Sequence, residues 1–235
     1  RENYCFRTCD AITTPSQDLK NNLIKLYNLP EDKITVIPNI VDTNHFMPMP
    51  RMKDDQPFTI LHVGRFERAK GVITLIKAFI EFAKIYTKCK LINVGQARGS
   101  SYEQCHELLK SAHMIEKVKF TGFVSYENLP RCYADADVVI VASEIYESFS
   151  YTVAQAMACS KPVIASNIGG IPETLDSGRL GLLFEPGNID SLFEKLSYVY
   201  ISQVRDISKD AREYAVNNFS FEKLGAVYND YYMCQ

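Results

Sequence analysis

The sequence predicts an α/β fold, a Rossmann-like parallel sheet with helices on both faces, and three observations carry that expectation. From Phe58 onward short apolar runs alternate with longer amphipathic ones. The longest purely apolar run, Val138-Val139-Ile140-Val141-Ala142, has the length of a buried strand. Small-residue turns, Gly169-Gly170 among them, fall between the runs. Alternation of this kind means βαβ units, whose crossovers require parallel strands.

The elements follow in order. Residues 18–27 read as a helix and 34–37 as a strand, and Pro38, Pro48, Pro50 and Pro57 punctuate an extended linker. A strand at 58–63 leads to a helix at 72–86, where Val72, Leu75, Ile76, Phe79 and Ala83 recur at helical spacing. Strands at 90–94, 118–120 and 138–141 then alternate with helices at 101–114 and 127–136. A helix at 151–159, a strand at 162–165, a short segment from Pro172, a strand at 180–184 and a helix from Asn188 complete the main run. Beyond about residue 205 two helical stretches are rich in Tyr and Phe, a composition that packs on something. The expected division is 1–57, 58–205 and 206–235.

Composition excludes several classes. The chain has 235 residues, 46% of them hydrophobic, and a net charge of -2 with no basic face, so nucleic acid is not an expected partner. Seven cysteines, with no Cys-x-x-Cys pair, fit a reduced compartment, with the cytoplasm as default. Cys5 and Cys9 read as ordinary thiols, and the histidines at 45, 62, 106 and 113 form no metal cluster. The chain begins at Arg1 with no charged-then-apolar leader, so it reads as a piece of a longer protein, without a signal peptide. No apolar run approaches the length of a bilayer span, which predicts a soluble protein. No Gly-x-Gly-x-x-Gly follows any strand, so no dinucleotide cofactor is expected. Asn218-Phe219-Ser220 reads as a helix junction.

Two loops concentrate the chemistry. Gly64-Arg65-Phe66-Glu67-Arg68-Ala69-Lys70-Gly71 joins the first strand to its helix and carries Arg65, Arg68 and Lys70. Such cations neutralise a diphosphate without a metal, although a solvated charged loop has the same composition. Glu147 heads Glu147-Ser148-Phe149-Ser150-Tyr151-Thr152-Val153-Ala154-Gln155, where an acidic residue ends a strand and its loop and an apolar helix begins. Helix N-termini bind phosphate, and the eight-residue separation of Glu147 from Gln155 lets one ligand touch both. Right-handed crossovers place both loops on one sheet edge. Asp135-Ala136-Asp137 resembles a metal-binding pair, but it precedes an apolar strand instead of following one and reads as solvated carboxylates. No metal site is expected.

With these residues in view, the chain resembles the C-terminal, donor-binding lobe of family 4 retaining glycosyltransferases of the two-lobed GT-B fold. The resemblance rests on Val36-Ile37-Pro38-Asn39-Ile40-Val41-Asp42, Gly64-Arg65 with Lys70-Gly71, Thr121-Gly122-Phe123-Val124, Glu147 to Gln155, Met157 to Ser166, Gly169-Gly170-Ile171-Pro172-Glu173 and Gly181-Leu182-Leu183. It implies transfer of a hexosyl unit from a nucleoside-diphosphate sugar to a hydroxyl acceptor, with the acceptor site in an N-terminal lobe outside this chain. Arg65, Lys70 and Glu147 would be catalytic, the first two on the diphosphate and Glu147 on the donor sugar. Gly64, Val124, Ser148, Phe149, Ser150, Tyr151, Thr152 and Gln155 would bind substrate, Val124 near the base. The second motif glutamate of the family is Gln155 here, and the glycines that often flank its phenylalanine are Ser148 and Ser150. Peripheral membrane association of the full-length protein belongs to the same set of expectations. An inactive nucleotide-sugar-binding module and a sugar-nucleotide epimerase stay open as other readings.

Overall fold

The computed structural model describes residues 2–52, 57–202 and 206–233. The expected boundary after residue 205 and part of the expected linker, 53–56, fall outside them. A six-stranded sheet organises the molecule, formed by β3 (Phe58–Val63), β4 (Cys89–Val94), β5 (Val118–Phe120), β6 (Val138–Val141), β7 (Val163–Ser166) and β8 (Leu182–Phe184). Its order is β5-β4-β3-β6-β7-β8, and every adjacent pair is parallel. The sequence direction reverses between β3 and β6, so the loops leaving these two strands diverge and open a crevice at their C-terminal ends.

Both faces of the sheet are covered, as expected for parallel strands. On one face Ile60, Val138, Ile140 and Ile164 meet α3 (Val72–Ile85), α4 (Ser100–Ser111) and α8 (Ile189–Ser202). On the other, Leu61, Val139, Val141, Val163 and Ala165 meet α5 (Leu129–Ala134), α6 (Tyr151–Ala158), α7 (Ile171–Thr174) and α9 (Asp206–Phe219). Successive residues of one strand serve opposite cores because side chains alternate across a pleat. Helix α3 is buried nearly all round, with Leu75, Ile76, Phe79 and Phe82 at 1% exposure or less, because it lies between the sheet and the flanking α4 and α8.

The N-terminal part forms a unit of its own, in which β1 (Ile12–Thr14) and β2 (Ile34–Val36) pair in parallel beside α1 (Glu2–Thr8) and α2 (Gln17–Tyr27). Neither α1 nor β1 is anticipated by sequence. Helix α5 is shorter than its predicted span because Pro130 sits in its first turn after a 3-10 turn at Tyr126–Asn128. Helix α4 stops at Ser111, shortly before His113 takes a φ of +54°. Helix α10 (Phe221–Met233) follows α9, and its Tyr228 hydroxyl donates to the carbonyls of Ile37 and Pro38 at 3.3 Å each.

The expectation of solvated carboxylates at 135–137 is corrected. Asp137 accepts from Arg51 through both oxygens, at 2.7 and 2.8 Å, and from the Thr59 N–H at 2.7 Å. Asp135 accepts from Arg131 at 2.8 Å and from the Met52 N–H at 3.1 Å. The pair therefore fastens the linker to the N-terminal edge of the sheet, opposite the crevice. Lys161 completes the arrangement, donating to the carbonyls of Ala134 and Ala136. Burial lowers its pKa while Asp137 opposes the shift.

A candidate donor site at the sheet crevice

The crevice is built from the loops after β3 and β6, and their backbones are stitched together. Gly71, at φ +66°, lies so close to β6 that a Cβ there would stand 1.7 Å from the Ala142 carbonyl oxygen. The Glu144 N–H donates to the Ala69 carbonyl at 3.0 Å. This close approach delivers Lys70 to Glu147, and the two side chains form an ion pair that is about one-quarter exposed or less. The Ser143 hydroxyl donates to the same oxygen of Glu147, Oε1, at 2.7 Å. A carboxylate held by an ammonium and a hydroxyl is oriented while remaining partly open to the crevice.

Beside this pair α6 begins. Ser150 is its N-cap and accepts from the Val153 N–H at 3.4 Å, which leaves the first N–H groups of the helix near Tyr151 and Thr152 available for an anion. Neither Ser148 nor Ser150 adopts a positive φ, so the backbone here does not require glycine at either position. Phe149 is buried against Phe219, and the Thr152 hydroxyl donates to the Val63 carbonyl at 3.2 Å, tying α6 to the end of β3. Val124 packs partly buried against the second core, on the loop after β5.

Two of the expected site residues stand apart. Arg65 is 72% exposed and pairs with Glu67 at 3.2 Å, so among the described residues it is not joined to the Lys70–Glu147 pair. Gln155 accepts a hydrogen bond from the hydroxyl of fully buried Tyr133 at 2.9 Å, which turns its carbonyl oxygen toward α5. Residues to which sequence reasoning gave no role complete the floor. Ser143 lies four positions before Glu147, a spacing that carries no signal on a loop. His62 is 3% exposed beneath Gly64, and its Nδ1 shares a hydrogen bond with Asn93 Oδ1 at 2.7 Å. Burial lowers the His62 pKa from its ordinary 6.5, the Asn93 bond opposes this, and the Lys70 charge adds to the lowering.

Other features are chemically quiet. Burial pushes the thiols of Cys105 and Cys159 up to about 12, which holds them protonated. Among the described residues no three His, Cys, Asp or Glu side chains gather as a metal site, and no helix is long and apolar enough to cross a membrane. Two open hollows lie away from the crevice, one between α3 and α8 at Glu81, Lys84, Asp190 and Phe193, and one beside α2 and β2 at Gln17, Lys20, Glu31 and Asp32.

Comparison with known proteins bears on this arrangement. The family described as glycosyl transferases group 1 matches residues 48–218, and that described as glycosyltransferase family 4 matches residues 1–45. An uncharacterized glycosyltransferase of Methanocaldococcus jannaschii is 32% identical, over 91% of this chain and 55% of its own length. The N-acetyl-alpha-D-glucosaminyl L-malate synthase of Bacillus anthracis is 28% identical, over 95% of this chain and 59% of its own. The chain thus spans little more than half the length of these curated relatives. Among solved structures, sucrose-phosphate synthase from Thermosynechococcus elongatus superposes with a TM-score of 0.86 at 25% identity, covering 100% of this chain and 61% of that one. HepE of Anabaena, solved in complex with UDP, shares the fold with a TM-score of 0.90 at 23% identity, covering 99% and 66%.

Proposed function

Because this chain belongs to the group 1 glycosyl transferases and has the fold of their two-lobed GT-B members, we propose that it supplies the donor site of a retaining hexosyltransferase. That enzyme would move a sugar from a nucleoside diphosphate to a hydroxyl acceptor. In this reading 58–205 is the nucleotide-sugar domain, 1–57 the end of an N-terminal lobe with its linker, and 206–235 the helices that return toward that lobe. The acceptor would bind on the N-terminal lobe. The observation that carries the proposal is the convergence of Lys70, Glu147 and the start of α6 at the crevice between β3 and β6.

The chemical difficulty in such a transfer is the leaving group. As the anomeric bond breaks, negative charge grows on the diphosphate. A fixed ammonium and the free N–H groups of a helix N-terminus stabilise that charge without having to reorganise. Lys70 and the backbone at Tyr151 and Thr152 take this role. Glu147 faces sugar hydroxyls with its carboxylate held by Ser143 and Lys70. Arg65, whose side chain is mostly exposed and paired only with the exposed Glu67 among the described residues, would leave Glu67 for the diphosphate when donor binds. Gly64 gives the backbone room beside the phosphates. Ser148, Phe149 and Ser150 shape the turn against the donor, Val124 lies near the base, and Gln155, its oxygen held by Tyr133, would meet the ribose through its amide N–H₂. The solved complexes of HepE with UDP and with UDP-glucose support a nucleotide-sugar donor through the shared fold.

Lys70→Ala in the full-length protein is expected to lower turnover about a hundredfold or more, the usual cost of removing one such stabilising group. Turnover near that of the parent protein rejects the role. The epimerase alternative needs an accessible acid or base in the cleft, and His62, buried against Asn93, is poorly suited to that task.

A further inference from the structure

The turn at Gly169-Gly170 touches both halves of the molecule. The Gly170 N–H donates to the Glu147 carbonyl at 2.7 Å. A Cβ on Gly169 would lie 2.3 Å from the Glu147 carbonyl oxygen, and one on Gly170 would lie 2.2 Å from that of Ser148. The backbone that carries the candidate donor carboxylate therefore rests on this turn, at a distance only glycine permits. Three residues further on, Glu173 of α7 reaches the opposite way. Its two carboxylate oxygens accept from the N–H groups of Gln17, at 2.7 Å, and Asp18, at 2.6 Å, which open α2 in the N-terminal unit.

The contact is well matched chemically. Two free N–H groups at a helix N-terminus meet one carboxylate, giving charge-assisted hydrogen bonds that also complement the helix dipole. Two neighbouring contacts run between the same parts. A Cβ on Gly170 would meet Ser16 Oγ, the N-cap of α2, at 2.9 Å, and Asn22 Nδ2 donates to the Tyr146 hydroxyl, one residue before Glu147, at 3.4 Å.

We propose that Glu173 is a positioning residue: by clasping the start of α2 it fixes the Gly169-Gly170 turn beneath Glu147, so that the placement of the N-terminal unit sets how Glu147 meets the donor sugar. The inference rests on the donor-site reading given above. It separates two parts of donor affinity. The diphosphate, held by Lys70 and α6, is bound with or without the clasp, whereas the added affinity contributed by the sugar depends on it.

The test is calorimetric titration of the full-length protein with UDP, GDP and ADP and with UDP-glucose, UDP-N-acetylglucosamine, GDP-mannose and ADP-glucose. The bare and sugar-bearing forms of the nucleotide that binds are then compared in two variants. Glu173→Gln keeps the shape but sets an amide N–H₂ against one of the two donors. Gln17→Pro removes one donor from the other side. Proline suits the first position of a helix, and Ser16 before it is already extended at φ −151° and ψ 154°, so α2 still forms. Both variants are expected to reduce the preference for the sugar-bearing form about fivefold, one hydrogen bond's worth, with affinity for the bare diphosphate within about twofold of the parent protein.

An unchanged preference in both variants overturns the clasp. Sugar-bearing forms that bind the parent protein no better than bare diphosphates overturn it too, because Glu147 then has no sugar to meet. Binding of no nucleotide at all rejects the donor reading beneath it, a result distinct from the other two.

Discussion

His62 is where the chemistry of the crevice can be read without a substrate. The ring is buried at the end of β3 and bonded to Asn93, and its pKa is lowered chiefly by burial, with the Lys70 charge acting in the same direction. An unfolded chain returns the ring to its ordinary 6.5, so below that value the unfolded state binds more protons than the folded one. The stabilising contribution of the neutral ring is therefore complete above about pH 6.5 and is lost as the pH falls toward the lowered folded-state pKa. Denaturant unfolding between about pH 7 and 5 is expected to show stability falling with acidity, and His62→Asn to flatten that slope. An identical slope in the variant removes His62 from the account. In Lys70→Ala the ring pKa, followed by NMR, is expected to rise, since a cation that disfavours the imidazolium has gone. At this scale the sequence is uneven in what it reveals. Lys70 and Glu147 stand out by charge and loop position, but their pairing, the Ser143 contact and the turn of Gln155 toward Tyr133 depend on loop geometry that no periodicity encodes.

Within the main sheet α3 is legible because it is long enough to show a helical period and β6 because it is a pure apolar run, while the three-residue β5 and β8 are read from their place in the alternation. What escapes are α1, β1 and the use of Asp135 and Asp137. Asp137 looks solvated in sequence because its partner, Arg51, is 86 positions away. Its guanidinium binds Asp137 through both carboxylate oxygens, the Asp135 carbonyl at 2.9 Å and Thr59 Oγ1 at 3.0 Å, joining the linker, the start of β3 and the start of β6. Both side chains of the pair are about three-quarters buried, so removing one leaves the other poorly compensated. Arg51→Ala and Asp137→Ala are each expected to cost about 2 kcal/mol, between the values for surface and fully buried pairs. The double variant should cost less than the two combined, with a coupling of about 1 kcal/mol. Strict additivity in urea unfolding contradicts the clamp.

For the whole molecule the two-core sheet explains why the site lies where it does. Residues 58–202 wind outward in both directions from β3 and β6, and the crevice at their C-terminal ends is the place left open by that winding. Parts of the surface remain apolar. On α10, Phe221, Tyr232 and Met233 are each at least 65% exposed, although Tyr228 of the same helix is anchored on the linker. The 235-residue chain by itself is expected to bind an apolar-surface dye or to self-associate, and serine at these three positions to reduce either effect. A strictly monomeric chain that binds no dye contradicts the expectation. The central claim, that the Lys70–Glu147 crevice receives a donor diphosphate, is tested most directly by calorimetric titration of this chain with UDP, GDP and ADP in turn. At least one should bind, with Lys70→Ala weakening it about tenfold or more, as loss of a charge-assisted contact requires. Binding of none, or an affinity unchanged in Lys70→Ala, would contradict the claim.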